Sequence, residues 1–254
     1  MAKVHFAGCL LLAVCLACPI GAWAREKTGV KEGFSLQPGT ARIVLMRPNI
    51  RVGAESTGGL FEPNADWTAQ ARENIERELA AVQQSLGNEV IRVEDGPLGA
   101  DPIIGQYSRL FGAVAQAVIE YQFFAGNRLP TKKRDKKALN WGMGPGLAGL
   151  ASLQNADYAL FIWTYDAYGS TGRKLLQAAA MVAAFIPIGS GEHRGYAGLV
   201  DLRTGELVWF NADLSMGGDV RTPEGTRKRV RQLLEDFPGR PPADEPAPPQ
   251  SREP

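Results

Sequence analysis

Apolar residues recur along the chain with the period of a strand in some segments and of a helix in others. Residues 42–47 form a short apolar run closed by Pro48, which is typical of a buried first strand. Residues 49–63 contain three glycines and are expected to form a loop. Apolar residues then follow at steps of three or four and predict an amphipathic helix, capped by Asn64 and ended by Gly87, with an inner face made by Trp67, Ala71, Ile75, Leu79, Val82 and Leu86.

The alternation of strands and helices continues to about residue 188. Residues 89–94 predict a second strand, and helical spacing from Ile103 onward predicts a second helix that ends near Gly126. Residues 158–165 are β-branched and aromatic, as expected of a central strand. Residues 175–188 are almost uncharged but too short to span a bilayer as a helix. We expect them to form a buried helix packed on the sheet, with membrane contact as the alternative.

The strongest local pattern predicts an antiparallel hairpin. Two strand-like runs, 196–202 and 207–214, are separated by a short turn in which Gly205 can take a positive φ. Asp201 and Thr204 are expected to have structural roles there, because the Asp201 carboxylate can accept backbone hydrogen bonds across the turn. The hairpin therefore predicts a structural element and not a catalytic one.

Two tryptophans lie in predicted strands, Trp163 in the central strand and Trp209 in the second strand of the hairpin. If these strands are neighbours, the two indoles would form a cross-strand pair, which contributes about 0.5 to 1 kcal/mol. Packing in the core is the expected role of both, and a sugar-binding platform or a partner contact is the alternative.

The order of the predicted elements indicates an α/β (α+β) fold with a single domain. Successive strand and helix units favour parallel inner strands, and the hairpin adds an antiparallel pair, so we expect a mixed sheet of about five strands with helices packed on it. A helix that begins at Thr222 and Pro223 should follow the hairpin. This domain covers residues 41–237. Residues 25–40 are predicted to be a flexible lead-in, and the Pro-rich residues 238–254 a disordered tail.

The first 24 residues have the features of a secretory signal peptide. Lys3 precedes an apolar stretch of about 15 residues, and Ala22-Trp23-Ala24 has the small residues of a cleavage site, so cleavage is expected after Ala24. The protein is then expected to be periplasmic or secreted. Lipid attachment at Cys15 or Cys18 would instead indicate an outer-membrane lipoprotein, but neither cysteine follows a good lipobox.

The residues available for chemistry are few. All three cysteines, Cys9, Cys15 and Cys18, lie in the leader, and His193 is the one histidine that follows it. A metal site of several histidines or cysteines is therefore excluded after cleavage. No nucleophile motif accompanies His193, which we expect to be a solvated loop residue and not a general base. We predict no catalytic residue, no metal and no cofactor.

The charges are balanced overall but locally concentrated. The chain has 28 Lys and Arg against 27 Asp and Glu, which excludes a uniformly basic nucleic-acid-binding protein. Within residues 128–137, however, six residues are basic and one is acidic. This run predicts binding of a membrane surface or another anionic envelope component, with a solvated loop as the alternative. Its basic residues are Arg128, Lys132, Lys133, Arg134, Lys136 and Lys137.

Three segments resemble a superfamily of bacterial envelope lipoproteins. They are the opening strand at 42–46, the strand entry at 156–160 and the hairpin at 200–209, in which Asp201, Thr204, Gly205 and Trp209 form an Asp-x-x-Thr-Gly-x-x-x-Trp pattern. This superfamily includes the curli-secretion channel and the penicillin-binding-protein activator, and its fold is like the N-terminal domain of TolB. The resemblance implies a structural hairpin and a protein that docks to envelope partners or assembles with its own copies.

These observations together predict a non-catalytic periplasmic protein of the cell envelope that binds or assembles with another envelope component. One alternative is a glycan hydrolase of the envelope that uses carboxylates such as Asp157, Asp166 or Asp219, which would need two acids about 5 to 10 Å apart. The other alternative is a peripheral protein that contacts the membrane.

Overall fold

The computed structural model describes residues 26–92, 102–133, 138–147, 149, 155–184 and 191–240. The predicted leader with Ala24 lies outside these residues, as does most of the predicted tail. The strands are β1 (Glu26–Val30), β2 (Arg42–Leu45), β3 (Asn49–Glu55), β4 (Phe61–Pro63), β5 (Glu89–Arg92), β6 (Tyr158–Gly169), β7 (Gly191–Asp201) and β8 (Leu207–Asp213). The α-helices are α1 (Ala65–Ser85), α2 (Pro102–Val118), α3 (Pro130–Lys133), α4 (Thr171–Ala184) and α5 (Pro223–Leu233).

The described strands form one mixed sheet with β6 at its centre. β7 pairs antiparallel with one edge of β6 and is followed outward by β8 and β1, also antiparallel. On the other edge, β2 and β3 both run parallel to β6, β2 along its first residues and β3 along its last ones. β5 extends β2 and β4 extends β3. The prediction of an α/β domain with a mixed sheet and a final hairpin followed by a helix is confirmed.

The sheet has eight strands, three more than the five predicted. β1 lies in the predicted lead-in. Its polar sequence gives no strand pattern, and the strand forms at the sheet edge because its backbone pairs with β8. β3 lies in the predicted loop. Its Ile50 and Val52 are buried while Asn49 and Arg51 are exposed, as in a half-buried strand, although Gly53 and two further glycines follow.

Helices cover the two faces of the sheet and create two apolar cores. The buried side chains of β2 and of the residue after it alternate between these cores. Ile43 and Leu45 face the core under α1 and α5, whereas Val44 and Met46 face the core under α2. This explains why the run is continuously apolar, since a strand covered on both faces has no solvent side. The Asn64 carboxamide accepts a hydrogen bond from the Trp67 N–H at 2.9 Å and caps α1.

Candidate functional site

Helix α4 lies in the connection between two adjacent strands. Tyr168 near the end of β6 pairs with Gly191 at the start of β7, so the chain leaves the sheet and returns beside its point of departure. The Ser170 hydroxyl accepts a hydrogen bond from the Arg173 N–H at 3.3 Å, and the Arg173 guanidinium pairs with Glu55 at 3.0 Å. These contacts fasten the first turn of α4 to the end of β3.

The large apolar side chains of α4 face solvent. The exposed fractions are 67% for Leu175, 41% for Leu176, 45% for Met181 and 82% for Val182. Most helices place such residues inside because burying one of them contributes about 1.5 to 3 kcal/mol. The prediction of a buried helix is therefore wrong for the described part of 175–188: the helix is present, but its apolar side chains are turned outward.

The side of α4 nearest the rest of the protein is its more polar side. Arg173, Gln177 and Ala180 are partly buried and follow one another at steps of four and three residues, so they share one stripe of the helix. The opposite stripe is entirely apolar and exposed, and we refer to it as the outward face of α4; it consists of Leu175, Ala178, Ala179 and Val182. None of the described helices, α4 included, is long and apolar enough to cross a membrane.

A buried ion pair joins α5 to β6. Arg229 and Asp166 are both fully buried, with Arg229 Nη2 2.7 Å from Asp166 Oδ1 and Arg229 Nη1 3.0 Å from Asp166 Oδ2. Thr164 Oγ1 donates to Asp166 Oδ2 at 2.6 Å, and the Gly217 and Gly218 carbonyls each accept from the guanidinium at 3.0 Å. The charges are thus well matched, which a buried pair requires.

His193 belongs to this network and is not the solvated loop residue that we expected. It lies in β7, opposite Asp166 in β6, and its Nδ1 is 2.8 Å from Asp166 Oδ1. Burial alone would raise the pKa of Asp166, but the hydrogen bond with His193 and the charge of Arg229 together hold it below its usual value. Asp166 is therefore an ionised structural acceptor.

A second cluster surrounds the loop before α5. The Arg221 guanidinium is 2.6 Å from Asp219 Oδ2 and lies over the rings of Tyr168, at 3.8 Å, and Trp67, at 4.4 Å. The hydrogen bond from Arg221 lowers the pKa of Asp219 to about 2, and burial raises the pKa of Tyr168. Both Asp166 and Asp219 act on Tyr168, so they are brought to one region of the molecule.

These carboxylates are poorly suited to glycoside hydrolysis. That chemistry needs one carboxylic acid that keeps its proton near neutral pH, which requires a raised pKa. Both Asp166 and Asp219 have lowered pKa values, Asp166 because of its hydrogen bond with His193 and the charge of Arg229, and Asp219 because of its hydrogen bond with Arg221. Asp157, the third candidate, accepts a hydrogen bond from the Arg42 N–H at 2.9 Å at the entry to β6. The described part of the chain also contains no cluster of three His, Cys, Asp or Glu residues that could hold a metal ion.

The basic run at 128–137 is described in part. Arg128 Nε donates to the Gln122 carbonyl at 2.7 Å, and the buried Lys132 Nζ donates to the Asn140 carbonyl at 2.7 Å and lies 4.8 Å from the Trp141 ring centre. Burial lowers the pKa of Lys132. Arg134, Lys136, Lys137 and the side chain of Lys133 lie outside the described residues. Anion binding by this run stays a prediction.

A cavity of about 490 Å³ adjoins the basic run. Lys132, Thr131 and Asn140 line it, together with Lys31 and Glu32. Lys31 is itself paired with Glu206, and Glu32 contributes a negative charge. Ala138 and Leu139 complete the lining, so the cavity is of mixed polarity with charges of both signs and does not by itself favour an anion.

The Asp201 carboxylate and the positive φ of Gly205 hold the turn of the hairpin. Asp201 Oδ1 accepts hydrogen bonds from the Arg203 and Thr204 N–H groups at 2.8 and 3.0 Å, and Gly205 has a φ of 73°. A side chain on Gly205 would collide with the backbone of Gly144, which also favours glycine there.

Trp163 and Trp209 do not form a pair. β7 lies between their strands, and the two indoles pack in different places: Trp163 stacks on Tyr196 at 4.9 Å between ring centres, whereas the fully buried Trp209 packs against Phe237 at 5.1 Å. The condition for a cross-strand contact between the two tryptophans is therefore not met, whereas the expected packing in the core is confirmed for Trp209.

Comparison with solved structures gives partial similarities of fold. Two structures of the PelC dodecamer from Paraburkholderia phytofirmans superpose with TM-scores of 0.37 and 0.38 at 13% identity, covering 85% of this chain and 99% of PelC. Lipoprotein GNA1162 from Neisseria meningitidis superposes with a TM-score of 0.30 at 16% identity, covering 68% of this chain and 77% of that one. No protein-family model matches the sequence, and no curated protein matches it. With superpositions this partial, functional inference rests on the contacts within the chain itself.

Proposed function

We propose that the chain is a non-catalytic periplasmic protein of the cell envelope that assembles with a protein partner through the outward face of α4. The observation that carries this proposal is the reversed orientation of α4, with its polar stripe turned inward and its apolar stripe exposed. Exposed apolar surface of this kind typically marks an interaction site.

The spacing of the outward face favours a protein as the occupant. Leu175, Ala178, Ala179 and Val182 lie at i, i+3, i+4 and i+7, which is the spacing by which a helix inserts into an apolar groove or packs on another helix. The alanines at the centre allow close approach of a partner backbone. The leucine and valine at the ends supply the apolar surface that is buried on binding.

A lipid surface is the less suitable occupant. Helices that lie on membranes combine an apolar face with several exposed lysines or arginines that attract anionic lipids. In the described α4, Arg173 is paired with Glu55, and Lys174 is the other basic residue. Electrostatic attraction to lipid is therefore weak at this site, whereas a protein partner needs only a complementary apolar surface.

The carboxylates support a non-catalytic role. Asp166 and Asp219, two of the three candidates for hydrolysis, are held ionised by arginines and serve to attach α5 and the loop before it. The periplasmic location is inferred from the predicted signal peptide.

Site-specific photocrosslinking in cells tests the proposal. A photoreactive amino acid is introduced at Val182 and, as a matched control, at Glu73, which is exposed on α1. We expect a discrete protein adduct from position 182, identifiable by mass spectrometry, none from position 73, and loss of the adduct when Leu175→Asp is added. Adducts with lipid alone, or equal labelling from both positions, would contradict the proposal.

A further inference from the structure

We propose that the partner of α4 is the same helix in a second copy of this chain, packed antiparallel about a two-fold axis that passes between Ala178 and Ala179. This inference rests on the proposed function, because it names the protein that covers the outward face of α4.

The apolar residues of α4 are arranged symmetrically about this point. Leu175 and Val182 lie at equal distances in sequence on either side of the Ala178-Ala179 pair, and so do Leu176 and Met181. Along the outward face, a large side chain at each end flanks the two small alanine side chains in the middle. A surface that reads nearly the same in both directions can contact its own copy, which is what a two-fold interface requires.

Antiparallel packing gives each side chain a complementary neighbour. Leu175 of one copy meets Val182 of the other at both ends of the contact, and the four alanines meet in the middle. Small residues at the crossing point allow two helices to approach to about 8 Å between their axes, the short end of the usual range. Leu176 and Met181 then lie on the two flanks of the contact and extend the buried apolar surface.

The helix dipoles favour the antiparallel arrangement, and the charges allow it. Lys174 is the exposed charged residue next to the outward face, and no acidic residue occurs in α4. In an antiparallel pair the two Lys174 side chains lie about 13 Å apart along the helix axis, from a rise of 1.5 Å per residue, which exceeds the Debye length at physiological salt. The helix dipoles are also opposed in the antiparallel pair.

Disulfide formation between two different single-cysteine variants tests this geometry. The full-length chain carries Cys9, Cys15 and Cys18 replaced by alanine, so that the introduced thiol is the only one, and the protein is collected from the periplasm. Leu175→Cys and Val182→Cys are both at exposed positions, so both should fold; equal urea midpoints verify this. The two variants are oxidised separately and as an equal mixture.

We expect the mixture to form a disulfide between Cys at 175 and Cys at 182, at least about tenfold more than either variant forms with itself, because only this pairing brings the Cα atoms within about 7 Å. Glu73→Cys mixed with Val182→Cys is the control and should give background levels. Disulfides that form mainly within each single variant would indicate parallel packing and overturn the inference, as would a mixture at background.

Sedimentation equilibrium provides an independent measurement. The unmodified chain should show a concentration-dependent dimer, and Ala179→Arg, which places a long charged side chain at the crossing point, should be monomeric at every concentration. If neither chain dimerises and photocrosslinking at Val182 still captures a different protein, the proposed function stands and this inference fails. If position 182 captures no protein, both fail.

Discussion

Helices α4 and α5 reverse the usual relation between composition and burial. α5 contains four basic residues, yet its Thr226, Arg229, Val230 and Leu233 are buried between the sheet and α1. α4 contains two basic residues among many apolar ones, yet its large apolar side chains are exposed. Composition alone would assign the two helices the opposite positions.

The difference shows that a helix is buried where its side chains find partners. α5 can be buried because Asp166 and two backbone carbonyls satisfy Arg229, while its valine and its leucine enter the core. In α4, the ion pair of Arg173 with Glu55 fastens the first turn to the end of β3. α5 thus serves the fold of this chain, whereas α4 presents an apolar surface that the described residues leave uncovered.

The largest effect should come from Arg229→Met. Removing the guanidinium leaves the Asp166 carboxylate buried without its main counter-charge, which typically costs about 3 to 5 kcal/mol of the free energy of unfolding. Arg227→Met, two residues earlier in α5 and exposed, should change it by less than about 0.5 kcal/mol. Urea denaturation measures both. Equal values for the two variants would mean that α5 is not held by its buried charge.

A matched pair of valines compares the two helices directly. Val230 in α5 is fully buried and Val182 in α4 is 82% exposed. Val230→Ala should lower the free energy of unfolding by about 2 kcal/mol, whereas Val182→Ala should leave it unchanged or raise it slightly, since alanine is the better helix former. Thermal unfolding at low protein concentration measures both values for the monomer. A loss of 2 kcal/mol at Val182 would show that α4 is buried in solution.

Acid should weaken the attachment of α5. The pKa of Asp219 is lowered to about 2 in the folded chain, below its value in the unfolded chain, so its pairing with Arg221 stabilises the fold above about pH 4 and is lost as the pH falls toward 2. Because the pair is about one-third exposed, we expect a contribution of about 1 kcal/mol.

Asp219→Asn should therefore flatten the dependence of unfolding free energy on pH between 4 and 2. Glu62→Gln, at an exposed carboxylate of β4, serves as the control and should leave the slope unchanged. Amide exchange in α5 should accelerate over the same range. An unchanged slope in Asp219→Asn would remove the pairing as a source of acid sensitivity.

The smallest effect is expected at Lys132, the other well-buried cation. Unlike Arg229, it is bonded to a backbone carbonyl, and no carboxylate in the described part of the chain pairs with it. Lys132→Met should change the free energy of unfolding by about 1 kcal/mol or less, because one hydrogen bond is lost while an ammonium no longer has to be buried. A loss as large as that of Arg229→Met would indicate an unrecognised anionic neighbour.

Local patterns were sufficient to predict the parts of the fold that depend on neighbouring residues. The Asn64 cap and the apolar run of β2 each depend on residues close in sequence, and so does the hairpin. The helix at α4 was also predicted, but its orientation was not, because an almost wholly apolar segment does not indicate which side faces the sheet. β1 was missed because its pairing uses backbone groups, which any sequence supplies.

The network around Asp166 could not be derived from spacing. The sequence leaves Asp166 as a candidate catalytic acid. Its partner, Arg229, lies 63 residues further along the chain, so no local pattern links the two. Residue type alone does not distinguish Arg229 from the exposed Arg227, Lys228 and Arg231 beside it. Helical spacing offers one signal: Arg229 falls on the same side as Thr226 and Leu233, which are buried.

The register of β6 and β7 makes the excursion through α4 separable from the rest of the molecule. Because Tyr168 and Gly191 are direct neighbours across the ladder, a tight turn of a few residues could join the strands in place of residues 170–190 without altering the pairing on either side. Shortening the connection would also reduce the entropy lost on closing it. Such a miniaturised chain would retain both cores and, under the proposed function, lose its means of recognition, so that folding and assembly would occupy different stretches of the sequence.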